Sequence, residues 1–284
     1  MSRPTSSFVT VLPVLALAAL CAGARSQTTL LEIVGQPGGD LGAAVDGVGD
    51  LDGDGFGDVA AGAFEADGVV AGSGVVRVVS GRTGGELLTL SGSAPWSWFG
   101  KSLAGLGDVT GDGVPDLAVA APRRDGPNGT LSGVVSVFSG ADGSVVRSWS
   151  GSAQGAFWGR QVHAVGDVDG DGACDLLVSS DDEPTSNQGT ATVYSGATGA
   201  VLHTWVGGTN ELLGVVSGRA GDLDADGVPD VLVYVARPGG QFGVDPELRA
   251  YSGATGNVLQ SWTDVTVTQA SLAAGGNGPP LAAV

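Results

Sequence analysis

Four nine-residue segments of the chain share one pattern, in which aspartates alternate with other residues and a glycine stands at the sixth position. They are Asp50-Leu-Asp-Gly-Asp-Gly-Phe-Gly-Asp58, Asp108-Val-Thr-Gly-Asp-Gly-Val-Pro-Asp116, Asp167-Val-Asp-Gly-Asp-Gly-Ala-Cys-Asp175 and Asp222-Leu-Asp-Ala-Asp-Gly-Val-Pro-Asp230. Their starts are 58, 59 and 55 residues apart, so the pattern is an internal repeat. A repeat of this kind predicts a fold built from several copies of one supersecondary unit.

A Ser-Gly-x-x-Gly segment follows each acidic segment, with short runs of β-branched or aromatic residues on both sides. These segments lie in Val78-Val-Ser-Gly-Arg-Thr-Gly84, Val137-Phe-Ser-Gly-Ala-Asp-Gly143, Val193-Tyr-Ser-Gly-Ala-Thr-Gly199 and Ala250-Tyr-Ser-Gly-Ala-Thr-Gly256. Short strands that flank a glycine turn are typical of β-hairpins. Further apolar runs, such as Leu117–Ala121, lie between the two kinds of segment. Each repeat therefore predicts four short strands in an antiparallel meander.

Tandem four-stranded units are the building blocks of β-propellers and β-solenoids, and the hairpins favour the propeller. We predict an all-β fold, a β-propeller of four-stranded antiparallel blades. Its repeats are expected at about 40–96, 97–155, 156–211 and 212–264, with a degenerate partial repeat at 265–284. Thr29–Val34 resembles the last strand of a further blade, and our hypothesis is that both ends of the chain complete a fifth blade that closes the ring. An open or truncated array is the alternative.

The composition agrees with a strand-rich, acidic and well-packed protein. Glycine accounts for 51 of the 284 residues, which disfavours long helices. The chain is 42% hydrophobic and can bury a core, although its net charge is −18. Such a charge argues against nucleic acids and anionic membrane surfaces as partners. Fifteen of the 30 acidic residues lie in the four acidic segments, so the charge is concentrated there.

The first 24 residues are typical of a secretory signal peptide. Arg3 precedes an apolar stretch at Val11–Leu20, and Ala22-Gly-Ala24 fits a cleavage site. A lipoprotein acylated at Cys21 is an alternative. The apolar stretch is too short to span a bilayer, and no later segment is longer. We therefore expect a mature chain from residue 25, secreted or held at the cell surface or in the periplasm, with Cys174 as its single cysteine.

The acidic segments have the residue types and spacing of a calcium loop. Side chains at positions 1, 3, 5 and 9 can converge with the carbonyl at position 7, and glycine at position 6 permits the sharp turn. Oxygen ligands in a flexible arrangement suit Ca²⁺ better than Mg²⁺. An EF-hand does not fit, because its position 12 would fall on apolar residues of predicted strands. We expect about four Ca²⁺ sites, with the ligands Asp50, Asp52, Asp54, Phe56, Asp58, Asp108, Thr110, Asp112, Val114, Asp116, Asp167, Asp169, Asp171, Ala173, Asp175, Asp222, Asp224, Asp226, Val228 and Asp230.

With these loops in phase with the hairpins, the sequence resembles the FG-GAP repeat family, which includes the N-terminal propeller of integrin α chains. Phe99-Gly100 and Trp158-Gly159 stand for the FG of the name, and Ala120-Ala121-Pro122 stands at the GAP end of the second repeat. The other repeats diverge at that end. The resemblance covers about residues 40 to 262 and implies a β-propeller with Ca²⁺ in the loops of one face.

Two further groups of residues are candidates for function. Trp96, Trp98 and Phe99 crowd the connection between the first two repeats, where they would either contact a ligand or pack between blades. His163 lies on the strand expected nearest the propeller axis, where a role in a central pocket is conceivable. His203 lies on an outer strand, where a solvated position is expected.

The sequence contains no nucleophile elbow, phosphate-binding loop, zinc-type cluster or dinucleotide fingerprint in a suitable context. We expect an exported calcium-binding propeller that acts as a binding or adhesion scaffold without catalysis. Its partner is expected to be an extracellular protein or glycan. The alternative is an accessory or body domain of an extracellular hydrolase or lyase. A structural component of an envelope or matrix is a third possibility.

Overall fold

The computed structural model describes residues 8–10, 32–180, 188–209, 211–236 and 247–263. Two short strands, β1 at Phe8–Thr10 and β2 at Glu32–Val34, pair antiparallel. The rest of the predicted signal peptide, residues 29–31 and the predicted partial repeat at 265–284 lie outside the described residues. No helix long and apolar enough to cross a membrane is found in the described part of the chain.

The remaining strands form four sheets of four strands each, here called blades 1 to 4. Blade 1 contains β3 at Leu41–Gly49, β4 at Asp58–Ala63, β5 at Val75–Val79 and β6 at Glu86–Ser91. Blade 2 contains β7 at Leu103–Gly107, β8 at Asp116–Ala121, β9 at Val134–Phe138 and β10 at Val145–Ser150. Blade 3 contains β11 at Gln161–Gly166, β12 at Asp175–Ser180, β13 at Thr190–Tyr194 and β14 at Val201–Val206. Blade 4 contains β15 at Leu212–Gly221, β16 at Asp230–Ala236, β17 at Glu247–Tyr251 and β18 at Val258–Thr263.

Each blade is an antiparallel meander in which consecutive strands are hydrogen-bonded neighbours. The first strands β3, β7, β11 and β15 contact one another in chain order, so the blades are arranged around these inner strands. The predicted all-β fold of four-stranded antiparallel blades is confirmed. Closure of the blades into a ring stays a prediction.

A close backbone approach joins each blade to the next. Gly100, the glycine of the Phe-Gly pair before blade 2, has a positive φ of 82° and lies against Gly62 of β4. A methyl group on Gly62 would overlap the Gly100 carbonyl oxygen. The equivalent contact pairs Gly159 with Ala120, and the next one pairs Gly214 with Ser179. The small residues of the FG-GAP pattern therefore occupy positions where two blades meet without room for a larger side chain.

Side chains of the last strand in a blade reach the Ser-Gly turn of the following blade. Trp149 donates its Nε1–H to the Gly199 carbonyl at 3.1 Å, and Trp205 makes the same bond with Gly256 at 2.8 Å. His203 Nε2 bonds the Gly253 carbonyl in the same way. The expectation that His203 is solvated is therefore wrong, because its half-buried ring links blade 3 to blade 4.

Apolar side chains fill the space between neighbouring blades and form three separate cores. The core between blades 1 and 2 contains Val76, Phe99 and Leu117, whereas the core between blades 2 and 3 is built around Trp158. A further cluster covers the other face of blade 1 and includes Ile33 of β2. In this cluster Ile33 lies together with Leu41 of blade 1. In the core between blades 1 and 2, Leu90 of blade 1 lies together with Phe99 in the same way.

The blade contact at Gly62 predicts a selective effect of alanine substitution. Gly62→Ala places a methyl group against the backbone of Gly100, and overpacking of this kind costs about 1–3 kcal/mol. Gly47→Ala in the neighbouring strand is the matched control, because nothing lies within 4 Å of the added atom. Chemical unfolding of both variants should show a lower midpoint for Gly62→Ala alone. Equal midpoints would contradict the contact.

Candidate metal centres

The four acidic segments form equivalent loops between the first and second strands of the blades. The Ser-Gly turns join the third and fourth strands, so both kinds of connection lie at the same end of each antiparallel sheet. Acidic loops and glycine turns thus form one edge of the array. The remaining connections, between the second and third strands and between blades, lie at the opposite end.

Backbone N–H groups inside each loop point at its aspartates. In the first loop, Asp50 at position 1 accepts hydrogen bonds from the N–H groups of Asp54 at 3.0 Å and Gly55 at 2.8 Å. Asp54 at position 5 accepts the N–H of Phe56 at 2.9 Å. The other three loops repeat these bonds. Position 6 is a glycine with φ between 87° and 92° in every loop, as the sharp turn in the predicted loop requires.

The aspartate at position 9 is buried in every loop and connects the loop to the neighbouring turn. In blade 3, Asp175 accepts the N–H of Val168 from its own loop at 2.6 Å and the N–H of Gly196 from the Ser-Gly turn at 2.9 Å. The corresponding residues of the other blades make the same two bonds; they are Asp58, Asp116 and Asp230. Position 9 therefore has a structural role besides the predicted metal ligation.

Carboxylate oxygens from positions 1, 3 and 9 come within 4.8 Å of one another in three of the loops. These clusters are Asp50, Asp52 and Asp58; Asp167, Asp169 and Asp175; and Asp222, Asp224 and Asp230. The position 5 aspartates lie outside these clusters. The predicted carbonyl ligands at position 7, Phe56, Val114, Ala173 and Val228, stay a prediction.

The second loop differs because Thr110 occupies position 3. Its hydroxyl donates to Asp108 Oδ1 at 3.3 Å. At positions 1, 3 and 9 this loop therefore has two carboxylates, whereas each of the other loops has three. Three clusters are therefore present among the described residues where the sequence predicted about four equivalent sites. The difference follows from one neutral side chain, since the backbone bonds of this loop match those of the others.

The buried aspartates at position 9 of the third and fourth loops have raised pKa values. Burial raises the pKa of Asp175 to about 6, with further contributions from the Asp169 and Asp171 charges, while two N–H donors oppose the shift. Burial also raises the pKa of Asp230, and the Asp224 and Asp226 charges add to it. A bound cation would relieve the repulsion between these carboxylates. Their all-oxygen donor set fits a hard divalent cation.

The structure separates the three aromatic residues that were candidates for ligand contact. Phe99 is 6% exposed and belongs to the core between blades 1 and 2, so it is not available to a ligand. Trp98 is half-buried, with its ring edge-on to Phe64 at 5.6 Å. Trp96 is 64% exposed. The sequence pattern could not separate them, because adjacent residues of an irregular connection have no fixed inward direction.

His163 lies on β11, the inner strand of blade 3, and does not bond to any of the described residues through Nε2. That nitrogen is buried and has no hydrogen-bond partner. Burial lowers the pKa of His163 to about 4. The equivalent residue of blade 1, Asp46, bridges to the next inner strand by accepting the N–H of Gly105 at 3.1 Å.

The buried Nε2 atom of the half-buried His163 and its lowered pKa predict a loss of stability in mild acid. A histidine in the unfolded chain has a pKa of about 6.5, whereas His163 in the folded chain has a pKa of about 4. Between these two pH values the unfolded chain binds a proton that the folded chain does not bind, so acid favours unfolding. The free energy of unfolding should fall by about 2 kcal/mol between pH 7 and pH 5 from this group. Denaturant titrations of the wild type and His163→Gln should diverge over that range. Parallel curves would show that the histidine titrates normally.

Comparison with known proteins assigns the repeats to a class. Residues 99–138 match the FG-GAP repeat, and residues 167–233 match the FG-GAP-like repeat. The chain carries FG-GAP repeats, with aspartate loops of the kind that bind calcium.

More particularly, these repeats are integrin α-like. The chain is 32% identical to integrin alpha-4 of Xenopus laevis over 55% of this chain and 16% of that protein. It is 30% identical to integrin alpha-V of Gallus gallus over 70% of this chain and 20% of that protein. The chain thus spans a fifth or less of the length of these relatives.

Two rhamnogalacturonan lyases are among the solved structures to which the chain shows a weak similarity. Rhamnogalacturonan lyase YesW shares 14% identity, with a TM-score of 0.45 over 76% of this chain and 50% of that chain. The exotype rhamnogalacturonan lyase YesX shares 15% identity, with the same TM-score over 76% of this chain and 48% of that chain.

Proposed function

We propose that the protein is an exported, calcium-stabilised binding or adhesion scaffold without catalytic activity. The observation that carries this proposal is the set of three carboxylate clusters along one edge of an integrin α-like array. The clusters leave the connections at the opposite end free to contact a partner, and surface connections on a rigid scaffold are common binding sites. Export through the predicted signal peptide would place the loops where calcium is abundant.

Calcium is the cation that the loops suit best. Each cluster offers three carboxylates on a loop, and Ca²⁺ accepts six to eight oxygen ligands in variable geometry. Mg²⁺ demands a near-ideal octahedron and retains its waters. In the bound state, Asp50, Asp52 and Asp58 would hold the ion in the first loop, and their counterparts would do so in the third and fourth.

Removal of calcium should destabilise the fold. An ion that binds only the native state adds about 2.7 kcal/mol for each site at a hundredfold excess over its Kd. A strong chelator should therefore lower the melting temperature markedly, and added Ca²⁺ should restore it in a concentration-dependent way. Differential scanning calorimetry measures both steps, with Mg²⁺ as the comparison ion. A melting curve that the chelator leaves unchanged would refute the metal assignment.

The second loop predicts a gain of calcium affinity from a single substitution. Thr110→Asp supplies the carboxylate that this loop lacks at position 3, and carboxylate count is a main determinant of calcium affinity. Competition with a chromophoric chelator should show the weakest site strengthened about tenfold or more. Thr130→Asp adds the same charge in a connection at the opposite end and should leave the binding curve unchanged. An identical curve for Thr110→Asp would show that this loop does not bind calcium.

Screening for a ligand tests the binding function itself. Full-length protein, with and without Ca²⁺, should be applied to arrays of glycans and extracellular matrix proteins. A calcium-dependent ligand that is recovered chemically unchanged supports a binding scaffold. Turnover of a glycan in the same samples would favour the alternative of a hydrolase or lyase domain. A screen without any ligand would refute the binding function.

A further inference from the structure

Aromatic rings and cations form one surface at the end of blades 1 and 2 opposite the acidic loops. This aromatic–basic surface consists of Trp96, Trp98, Lys101 and Arg123, together with the buried ring of Phe64 that Lys101 contacts. Phe64 follows β4, the two tryptophans follow β6, Lys101 precedes β7, and Arg123 follows β8. Strands of six residues span about 20 Å, so the surface is well separated from the acidic loops.

The two cations of this surface are held by aromatic rings. Lys101 Nζ lies 3.9 Å from the centre of the Phe64 ring and 5.6 Å from that of Trp98. The guanidinium carbon of Arg123 lies 4.0 Å from the centre of the Trp98 ring. Cation–π contacts fix the position of a charge while leaving its N–H donors free for other partners. Both cations therefore lie within 6 Å of one ring centre.

Neither cation makes an ion pair within the described ranges, although the chain has 30 acidic and only 12 basic residues. Two acidic side chains close to this surface in sequence, Asp67 after Phe64 and Asp125 after Arg123, have other partners. Asp67 accepts the N–H of Gly72 at 2.8 Å, and Asp125 accepts the N–H of Leu131 at 2.9 Å. The two cations thus remain available to an anion from outside the chain.

Trp96 adds an exposed ring to the same surface. The indole of Trp96 rests on Gly72, where an added methyl group would overlap the ring, and the backbone N–H of Trp96 donates to the Gly72 carbonyl at 3.0 Å. The ring is nevertheless 64% exposed. Its backbone has a φ of 56°, which is uncommon for a bulky residue. A supported and exposed indole two residues from Trp98 provides an apolar platform at the same end of blade 1.

We propose that the aromatic–basic surface binds an acidic polysaccharide containing uronic acid residues. This inference rests on the proposed binding function and names the ligand class for it. A uronic acid ring carries a flat C–H face beside a carboxylate, so the face can stack on Trp96 while the carboxylate accepts hydrogen bonds from Arg123 and Lys101. An acidic peptide offers carboxylates on flexible side chains without such a face, which makes it the less suitable partner.

Isothermal titration of the calcium-loaded full chain with acidic oligosaccharides tests this proposal. The probes are a hyaluronan octasaccharide and a glucuronan oligomer, with the carboxyl-reduced form of each and an oligoglutamate as comparisons. Trp96→Ala and Arg123→Gln should each weaken binding of the acidic sugars about tenfold or more. Arg82→Gln is the matched control, because Arg82 stacks on Phe56 at 5.2 Å at the opposite end of blade 1 and should change the affinity less than twofold. Melting curves of all three variants establish that they fold.

Each outcome decides the proposal. Binding of the acidic sugars, its loss on carboxyl reduction and the selective effect of the two surface variants would support it. No binding of either acidic sugar, equal binding of oligoglutamate, or equal effects of Arg82→Gln and Arg123→Gln would overturn it. If the array screen finds another ligand whose affinity these variants leave unchanged, the binding function stands and only the acidic polysaccharide is refuted.

Discussion

A buried aspartate at the end of each acidic loop is the constraint on which the rest of a blade depends. Asp58, Asp116, Asp175 and Asp230 are each 1% exposed or less, and each accepts one N–H from the loop and one from the Ser-Gly turn. A buried carboxylate is costly unless it is hydrogen-bonded or paired with a cation. Because the same carboxylate accepts hydrogen bonds from the metal loop and from the hairpin turn, the geometries of these two segments are coupled within every blade.

The blades are joined by the same two contacts each time, although the residues that make them differ. One contact is the close approach of an FG glycine to a small residue of the preceding blade, as between Gly100 and Gly62. The other is the reach of a last-strand side chain to the next glycine turn, which Trp149 and Trp205 make through their indole N–H groups. The buried aspartate holds that glycine turn in place. The conformation of the acidic loop in one blade therefore affects the contact that the last strand of the preceding blade makes with the turn.

Repeat spacing is sufficient to predict the strands, the four-stranded units and the convergence of aspartates at positions 1, 3 and 9 in three of the four loops, because hairpins and loops are local structures. Contacts between blades were not predictable from local pattern. His203 was expected to be solvated because its strand is the outermost one of its blade, yet the turn of blade 4 covers it. Phe99 and Trp96 differ in burial although both lie in one short connection. The lack of a three-carboxylate cluster in the second loop was foreseeable from Thr110, since a hydroxyl replaces a carboxylate there.

The way in which the blades are joined has a consequence for how the protein would respond to mechanical tension. Strands within a blade are tied by ladders of backbone hydrogen bonds, and the buried aspartate ties the loop of that blade to its turn. Neighbouring blades share apolar cores and a small number of side-chain bonds, such as those of Trp205 and His203 to blade 4. A force pulling along the chain would therefore separate whole blades before it opened one. Extension would proceed in discrete steps while the aspartate loops kept their shape.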